Sequence, residues 1–180
     1  KAVRLTKGKN RMNQTIGMIS MKRLLPWLVI FCVVLQPLSG VAEVTSYDHA
    51  IHDAARSGSG SDVRRLLKAD PKQRDVRTAM GSTPLHLAAT NPDLSAMKAL
   101  IEAGADVMAR DNDGATPLHM AAYSSRPKNT QLMLEAGADP MAKTDNGRDA
   151  GSMARKVKAD EAAGVISLWV LKGCKAGKPC

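Results

Sequence analysis

The residues of this chain that could bind a metal or act as a base are first of all its four histidines, His49, His52, His86 and His119. His86 and His119 stand 33 residues apart in matching surroundings. If each matching stretch forms one layer of a stack, their side chains lie about 10 Å apart, the usual distance between packed helices. Zinc ligands lie at about 2 Å from the ion, so the two cannot share one. We expect no metal and no cofactor.

Serine and aspartate residues do not form a catalytic or calcium-binding pattern either. Ser152 and Ser167 have no companion motif, and Gly-x-Ser-x-Gly is absent from the sequence. The string DNDG at 111–114 begins like a calcium loop, but no acidic residue closes it at the twelfth position. The string GSGS at 58–61 lacks the lysine of a phosphate cradle and reads as a flexible loop. The sequence therefore favours a protein that is not an enzyme.

The most regular feature of the sequence is a stretch that occurs twice. GSTPLHLAA at 81–89 returns as GATPLHMAA at 114–122, and EAGAD at 102–106 returns at 135–139, both after 33 residues. A fixed period of this size is typical of stacked repeat proteins. The spacing therefore predicts a solenoid whose units bury one another's apolar faces.

Each copy has the signals of two short helices. Thr83 can cap a helix, and Pro84 suits its first position, where a missing N–H is harmless. Polar breaks follow at 90–93 and, in the second copy, at 124–129. A second helix with an apolar face then ends near Gly104, where a left-handed C-cap is expected.

The TPLHxAA string and the later GAD string resemble the ankyrin repeat. This resemblance implies an all-α helical repeat solenoid of about four helix pairs, with divergent capping repeats at both ends. The implied repeats are about 47–80, 81–113, 114–146 and 147–172 of a domain spanning 43–172. It also implies that His86 and His119 bond the nearby threonine hydroxyl and backbone rather than a ligand.

The beginning of the chain predicts export. Residues 1–20 form an upstream basic segment that we do not expect in the mature fold. Residues 21–42 have the basic start, uncharged run (24–35) and small residues of a cleaved signal peptide. The alternative is a membrane anchor, but spanning takes about 20 apolar residues. We expect a periplasmic protein if the source is bacterial, and otherwise a secreted one, with no membrane span after cleavage.

Charge and cysteine content agree with an exported protein-binding domain. Residues 1–42 hold seven basic and no acidic residues, so of the net charge of +9 only +2 belongs to 43–180. Nucleic acid is thus not an expected partner. The tail at 173–180 contains Cys174 and Cys180, and an even cysteine count after export favours a disulfide between them. Two free thiols on a frayed tail are the alternative.

In ankyrin proteins the turn tips and the adjoining ends of the first helices form the recognition face, so the resemblance implies a surface for another protein. We expect a monomer, with Tyr123 as the preferred anchor. The implied partner-binding residues are Met80, Ser82, Thr90, Asn91, Arg110, Asn112, Asp113, Tyr123, Ser124, Lys143, Asp145, Asn146 and Arg148.

Two alternatives use the same fold differently. An inhibitor or immunity-type protein would block an envelope enzyme, and an acidic patch would favour it. An enzyme or ligand-binding protein would place its site in the divergent region 147–180, in a pocket lined by Lys156, Trp169 and Cys174.

Overall fold

The computed structural model describes residues 49–176. The predicted upstream segment, the signal peptide and Cys180 lie outside these residues, as does the pairing of Cys180 with Cys174. In the described part of the chain the regular elements are all helical, and no helix has the length and hydropathy needed to cross a membrane. The α-helices are α1 (Ala50–Ser57), α2 (Gly60–Ala69), α3 (Pro84–Ala88), α4 (Leu94–Glu102), α5 (Pro117–Tyr123), α6 (Pro127–Glu135), α7 (Ala150–Lys156) and α8 (Asp160–Leu171), with a 3₁₀ turn at Pro71–Asp75.

The helices begin where the capping residues predict. Thr83 has the extended conformation of an N-cap, and Pro84 occupies the first helical position of α3. Gly104 follows α4 with φ of +79°, the left-handed conformation expected of a C-cap. The same three features recur 33 residues later around α5 and α6.

Successive helix pairs stack in register. Helices α1, α3, α5 and α7 pack in one row, and α2, α4, α6 and α8 pack in the second. Leu85 and Leu118 occupy equivalent positions and are both fully buried, as are Ala89 and Ala122, whose small side chains allow the first-row helices to approach closely. Four helix pairs confirm the predicted all-α ankyrin-type architecture.

Two stretches read as loops are in fact partly helical. Ser59 is the N-cap of α2 and its side chain accepts from the Asp62 N–H. Gly60 lies buried in the first turn, and its N–H donates to Ser95 Oγ at 2.8 Å. A Cβ on Gly60 would lie 2.7 Å from the backbone carbon of Ser95, so glycine permits this close approach of α2 to α4. The break at 124–129 is shorter than expected, because α6 begins at Pro127.

Candidate partner-binding surface

The turns between repeats form a hydrogen-bonded row along one edge of the stack. The Asn112 N–H donates to the Met80 carbonyl at 3.1 Å, and one repeat later the Asp145 N–H donates to the Asp113 carbonyl at 3.0 Å. The Asn112 side chain adds a bond to the Ala79 carbonyl at 3.0 Å. The turn tips are therefore held in fixed positions relative to one another.

Arginines reinforce the same edge. Arg77 Nη1 donates to the Arg110 carbonyl at 2.6 Å, and Arg110 Nη1 donates to the Lys143 carbonyl at 2.9 Å. Arg110 Nη2 also reaches Asp145 Oδ1 at 2.9 Å. Each guanidinium thus spans from one turn to the next, and both partners of the Arg110–Asp145 pair are used within the chain.

Histidines join the turns to the first-row helices. His86 Nδ1 accepts from the Thr83 N–H at 3.1 Å and lies 2.9 Å from the Thr83 hydroxyl. Because an amide N–H can only donate, Nδ1 is unprotonated, and Nε2 donates to the Ala115 carbonyl at 3.0 Å. This confirms the role implied by the ankyrin resemblance. The equivalent bonds of the next repeat connect His119 to Thr116 and Arg148.

Both histidines are adapted to the neutral form. Burial, which disfavours the charged imidazolium, lowers the pKa of His86 below its ordinary value, and it does the same for the pKa of His119. Both side chains are fully buried. They lack the solvent access of a catalytic base, and they serve as ties between consecutive turns.

A cleft opens between the turn tips and the first-row helices at the junction of the third and fourth repeats. Its volume is about 280 Å³. Met120 and Tyr123 of α5 and Met153 of α7 line it on the helix side, while Asp113 and Arg148 line it on the turn side. Tyr123 is 55% exposed although it belongs to a packed helix. The cleft therefore presents thioether and aromatic surface, with the carboxylates of Asp111 and Asp113 and the guanidinium of Arg148 among its lining groups.

The predicted partner-binding residues divide into three groups. Within residues 49–176, the side chains of one group are exposed and form no hydrogen bond: Met80, Asp113, Tyr123, Lys143, Asn146 and Arg148. A second group is exposed but bonds one turn to the next: Arg110, Asn112 and Asp145. A third group is partly or fully buried: Ser82, Thr90, Asn91 and Ser124.

The third group was expected on the free surface. That prediction is wrong for Ser82 and Asn91, which are buried, while Thr90 and Ser124 are partly buried. Asn91 is buried, and its amide donates to the Ala55 and Gly58 carbonyls at the end of α1. Ser82 is also buried, at the end of a turn where its N–H donates to Thr78 Oγ1. The Thr90 hydroxyl is satisfied by the Leu87 carbonyl at 2.8 Å. These polar groups complete the stack, because short helices leave carbonyls that need donors.

Two kinds of residue in this region were not predicted. Asn129, read as part of a polar break, is buried and donates to the Ala89 and Asn91 carbonyls at 2.9 and 2.8 Å. Met120 and Met153 line the cleft but were not among the expected contact residues. The 33-residue spacing that places them at one position of successive helices is a sequence signal that could have found them.

The rival sites named from the sequence are not assembled in the described residues. Trp169 is buried, Lys156 is exposed and Cys174 is partly buried. A hollow of about 360 Å³ does lie on the last repeat, but other side chains line it. Between residues 49 and 176, no three His, Cys, Asp or Glu side chains lie close enough together to hold a metal ion.

Comparison with known families agrees with the geometry. A family model described as ankyrin repeats in three copies matches residues 51–144, which is more than half of the chain. The matched range contains nearly all of the first three helix pairs. The fourth pair, α7 and α8, continues the stack beyond the match.

Proposed function

The chain belongs to the ankyrin repeat family, whose repeats are generally protein–protein interaction modules, and from this premise we propose that it binds a partner protein through the cleft around Tyr123. The observation that carries the proposal is the exposed aromatic side chain of Tyr123, which lies beside Met120 and Met153 in a cleft that no other side chain fills among the described residues. Aromatic side chains often dominate interfaces.

The chemistry of the cleft favours an apolar side chain of the partner as its occupant. Thioethers are flexible and polarizable, so Met120 and Met153 can adapt to the inserted group. Asp113 and Arg148 at the rim can each bond a polar group of the partner backbone or side chains. Because the turns are already fixed by the arginine and histidine bonds, little conformational freedom is lost on binding. The proposed role requires no chemistry by this chain.

Replacing Tyr123 with alanine is expected to weaken partner binding by about tenfold or more, the effect of a loss of roughly 1.4 kcal/mol at an interface anchor. The melting temperature is expected to change little, because half of the side chain is already exposed. A photo-crosslinking amino acid at position 123 should yield a discrete protein adduct. The unmodified chain should compete with that adduct, whereas Tyr123→Ala should not.

The matched control places the same crosslinker at Lys98, which is exposed on α4 of the second row. A common adduct at both positions would indicate nonspecific capture. If Tyr123→Ala fails to compete and also has a clearly lower melting temperature, Tyr123 is part of the core and the cleft is not the binding site. Tyr123→Phe separates loss of the ring from loss of the hydroxyl.

We also propose that the protein acts after export, in the periplasm of a bacterial cell. Support comes from the sequence at 21–42, with its basic start, uncharged run and small residues before Glu43. Mass spectrometry of the native protein is expected to find a new N-terminus at Glu43 in the envelope fraction. Recovery of the uncleaved chain from the cytoplasm would contradict this proposal.

A further inference from the structure

We propose that the outer face of the last repeat is a self-association surface on which a second copy of this chain docks tail to tail. This surface lies on α7 and α8 and shares no lining residue with the cleft around Tyr123, so the proposal does not depend on the partner cleft. The sequence alone favours a monomer. The shape and composition of this end face argue for a dimer.

The end face is the same kind of surface that joins repeats within the chain. Helix α5 packs on α7, and α6 packs on α8, so each helix pair buries one face against its predecessor. Within residues 49–176 no further helix follows α8. The exposed side carries a hollow of about 360 Å³ lined by Ile166 and Val170 of α8, by Gly151 of α7 and by Met141. Val170 is 45% exposed and Met141 58% exposed, which is unusual for a terminal repeat, where a polar outer face is normal.

A glycine lines this hollow where the preceding repeats have a leucine. Gly151 occupies the position at which the two preceding repeats have Leu85 and Leu118, both fully buried. Gly151 lies within α7, and an added Cβ would meet its nearest neighbours, Arg155 and Asp149, only at 3.4 Å. The backbone would therefore accept a Cβ there at ordinary van der Waals contact, with Ile166 as the next neighbour at 3.6 Å. The last repeat lacks the leucine and leaves room for an apolar side chain from outside.

The same face supplies a side chain of the right kind. Leu171 lies at the rim of the hollow, at the end of α8, and is 81% exposed. A projecting residue and a hollow on one surface are self-complementary, because a two-fold axis inserts each into the other. Asp149 and Arg155 line the same hollow with opposite charges. Within one copy Arg155 already acts electrostatically on Asp149, so the face carries a pair of opposite charges that a copy related by a two-fold axis meets in reverse order.

The opposite end of the stack does not offer an equally good match. Its helices α1 and α2 expose charged side chains, among them Arg56 and Lys68. Of the large apolar side chains that are exposed in the described region, none lies on these two helices. Head-to-tail stacking would bury those charges against Leu171 without partners, which is costly. The tail-to-tail arrangement is therefore the one that the composition favours.

Sedimentation equilibrium of the purified protein tests the proposal, with the monomer mass taken from mass spectrometry of the same sample. The expected result is twice the monomer mass at concentrations approaching about 0.5 mM, a range that detects weak association. Gly151→Leu is expected to fill the hollow and raise the dimer Kd by at least about tenfold. Its melting temperature as a monomer should be unchanged or higher, because leucine favours helix over glycine. Leu171→Asp removes the projecting apolar side chain, and it should likewise lower the mass measured by sedimentation towards that of the monomer.

Met80→Asp is the matched control, because Met80 is 66% exposed but lies on the turn between the first and second repeats. It should leave the dimer intact. A monomeric mass of the unaltered protein over the whole concentration range would overturn the proposal. So would a dimer that persists in both Gly151→Leu and Leu171→Asp, since its contact would then lie elsewhere.

Discussion

Replacing Gly81 with alanine is expected to lower the free energy of unfolding by about 3 kcal/mol, whereas the same change at Gly147 should cost only about 1 kcal/mol. The two glycines have nearly the same backbone, with φ of +74° and +72°. Alanine in this left-handed region is strained by about 1–2 kcal/mol at either position. The remainder depends on what the new Cβ meets.

The surroundings of the two turns are different. At Gly81 the Cβ would lie 2.9 Å from the backbone nitrogen of Asn112, so the next turn must move. That movement weakens the bond from the Asn112 N–H to the Met80 carbonyl, on which the row of turns depends. At Gly147 no atom lies within 4 Å of the added Cβ among the described residues, and only the backbone strain remains.

Gly114 provides an intermediate case. Its φ is +71°, and an alanine Cβ would clash with the ends of the Arg110 and Asp145 side chains. Flexible side chains can move aside at the cost of their exposed ion pair, which contributes less than about 1 kcal/mol. Urea unfolding of the three variants, with an unchanged dependence on denaturant, is the measurement. Equal losses at all three positions would show that contact between turns does not stabilise the stack.

Features that depend on residues close together in the sequence could be predicted, whereas most contacts between distant residues could not. The caps at Thr83 and Thr116, the left-handed Gly104 and the paired alanines follow from local chemistry, and a repeated pattern fixes their positions twice. The histidine bonds follow from the family resemblance. All of these features lie within one repeat or connect identical positions of adjacent repeats.

The two asparagines whose burial was not predicted, Asn91 and Asn129, form hydrogen bonds between repeats. They occupy positions of the repeat that are not equivalent. Asn91 lies in the connection before α4, whereas Asn129 lies inside α6, yet each amide satisfies carbonyls at the end of a first-row helix in the preceding repeat. A 33-residue comparison aligns Asn91 with Ser124 and Asn129 with Ala96, so the shared role is invisible to it. The burial of these amides is a property of the stack rather than of either local sequence.

Candidate contact residues were harder to predict for a related reason. The resemblance identifies turn tips but does not distinguish a tip side chain that binds its neighbour, such as Arg110, from one that is left exposed, such as Asp113. Both are polar residues of the same turn. The difference arises from the reach of the guanidinium across about one repeat, which depends on the spacing of the stacked turns.

Stability is expected to fall as the pH is lowered from about 6.5, because the buried side chains of His86 and His119 must remain neutral in the folded state. The pKa values of His86 and His119 are lowered by burial, while in the unfolded chain they return to about 6.5. Between these values the unfolded state binds more protons, so protonation favours unfolding. The contribution of each neutral imidazole is fully present above about pH 6.5 and is lost as the pH falls through the folded-state pKa.

The carboxylates affect stability in a separate pH range, which is more acidic than that of the histidines. Hydrogen bonds from Ser152, first from its backbone N–H, lower the pKa of Asp149, and the Ser59 side chain is the main cause of a lowered pKa at Asp62. Their contribution is present above about pH 3.9 and is lost below it. A decline that begins near pH 6.5 therefore reports on the histidines and not on these helix caps.

Urea unfolding between pH 7.5 and about 4.5 measures the effect, with a limiting slope of about 1.4 kcal/mol per pH unit for each histidine that takes up a proton only on unfolding. The double variant His86→Asn and His119→Asn is the control. It should be less stable at pH 7.5, because the Ala115 and Arg148 carbonyls lose their donors, and its stability should vary much less over the same range. If the unaltered protein and the double variant show the same pH dependence, proton uptake by His86 and His119 is not the cause of the decline.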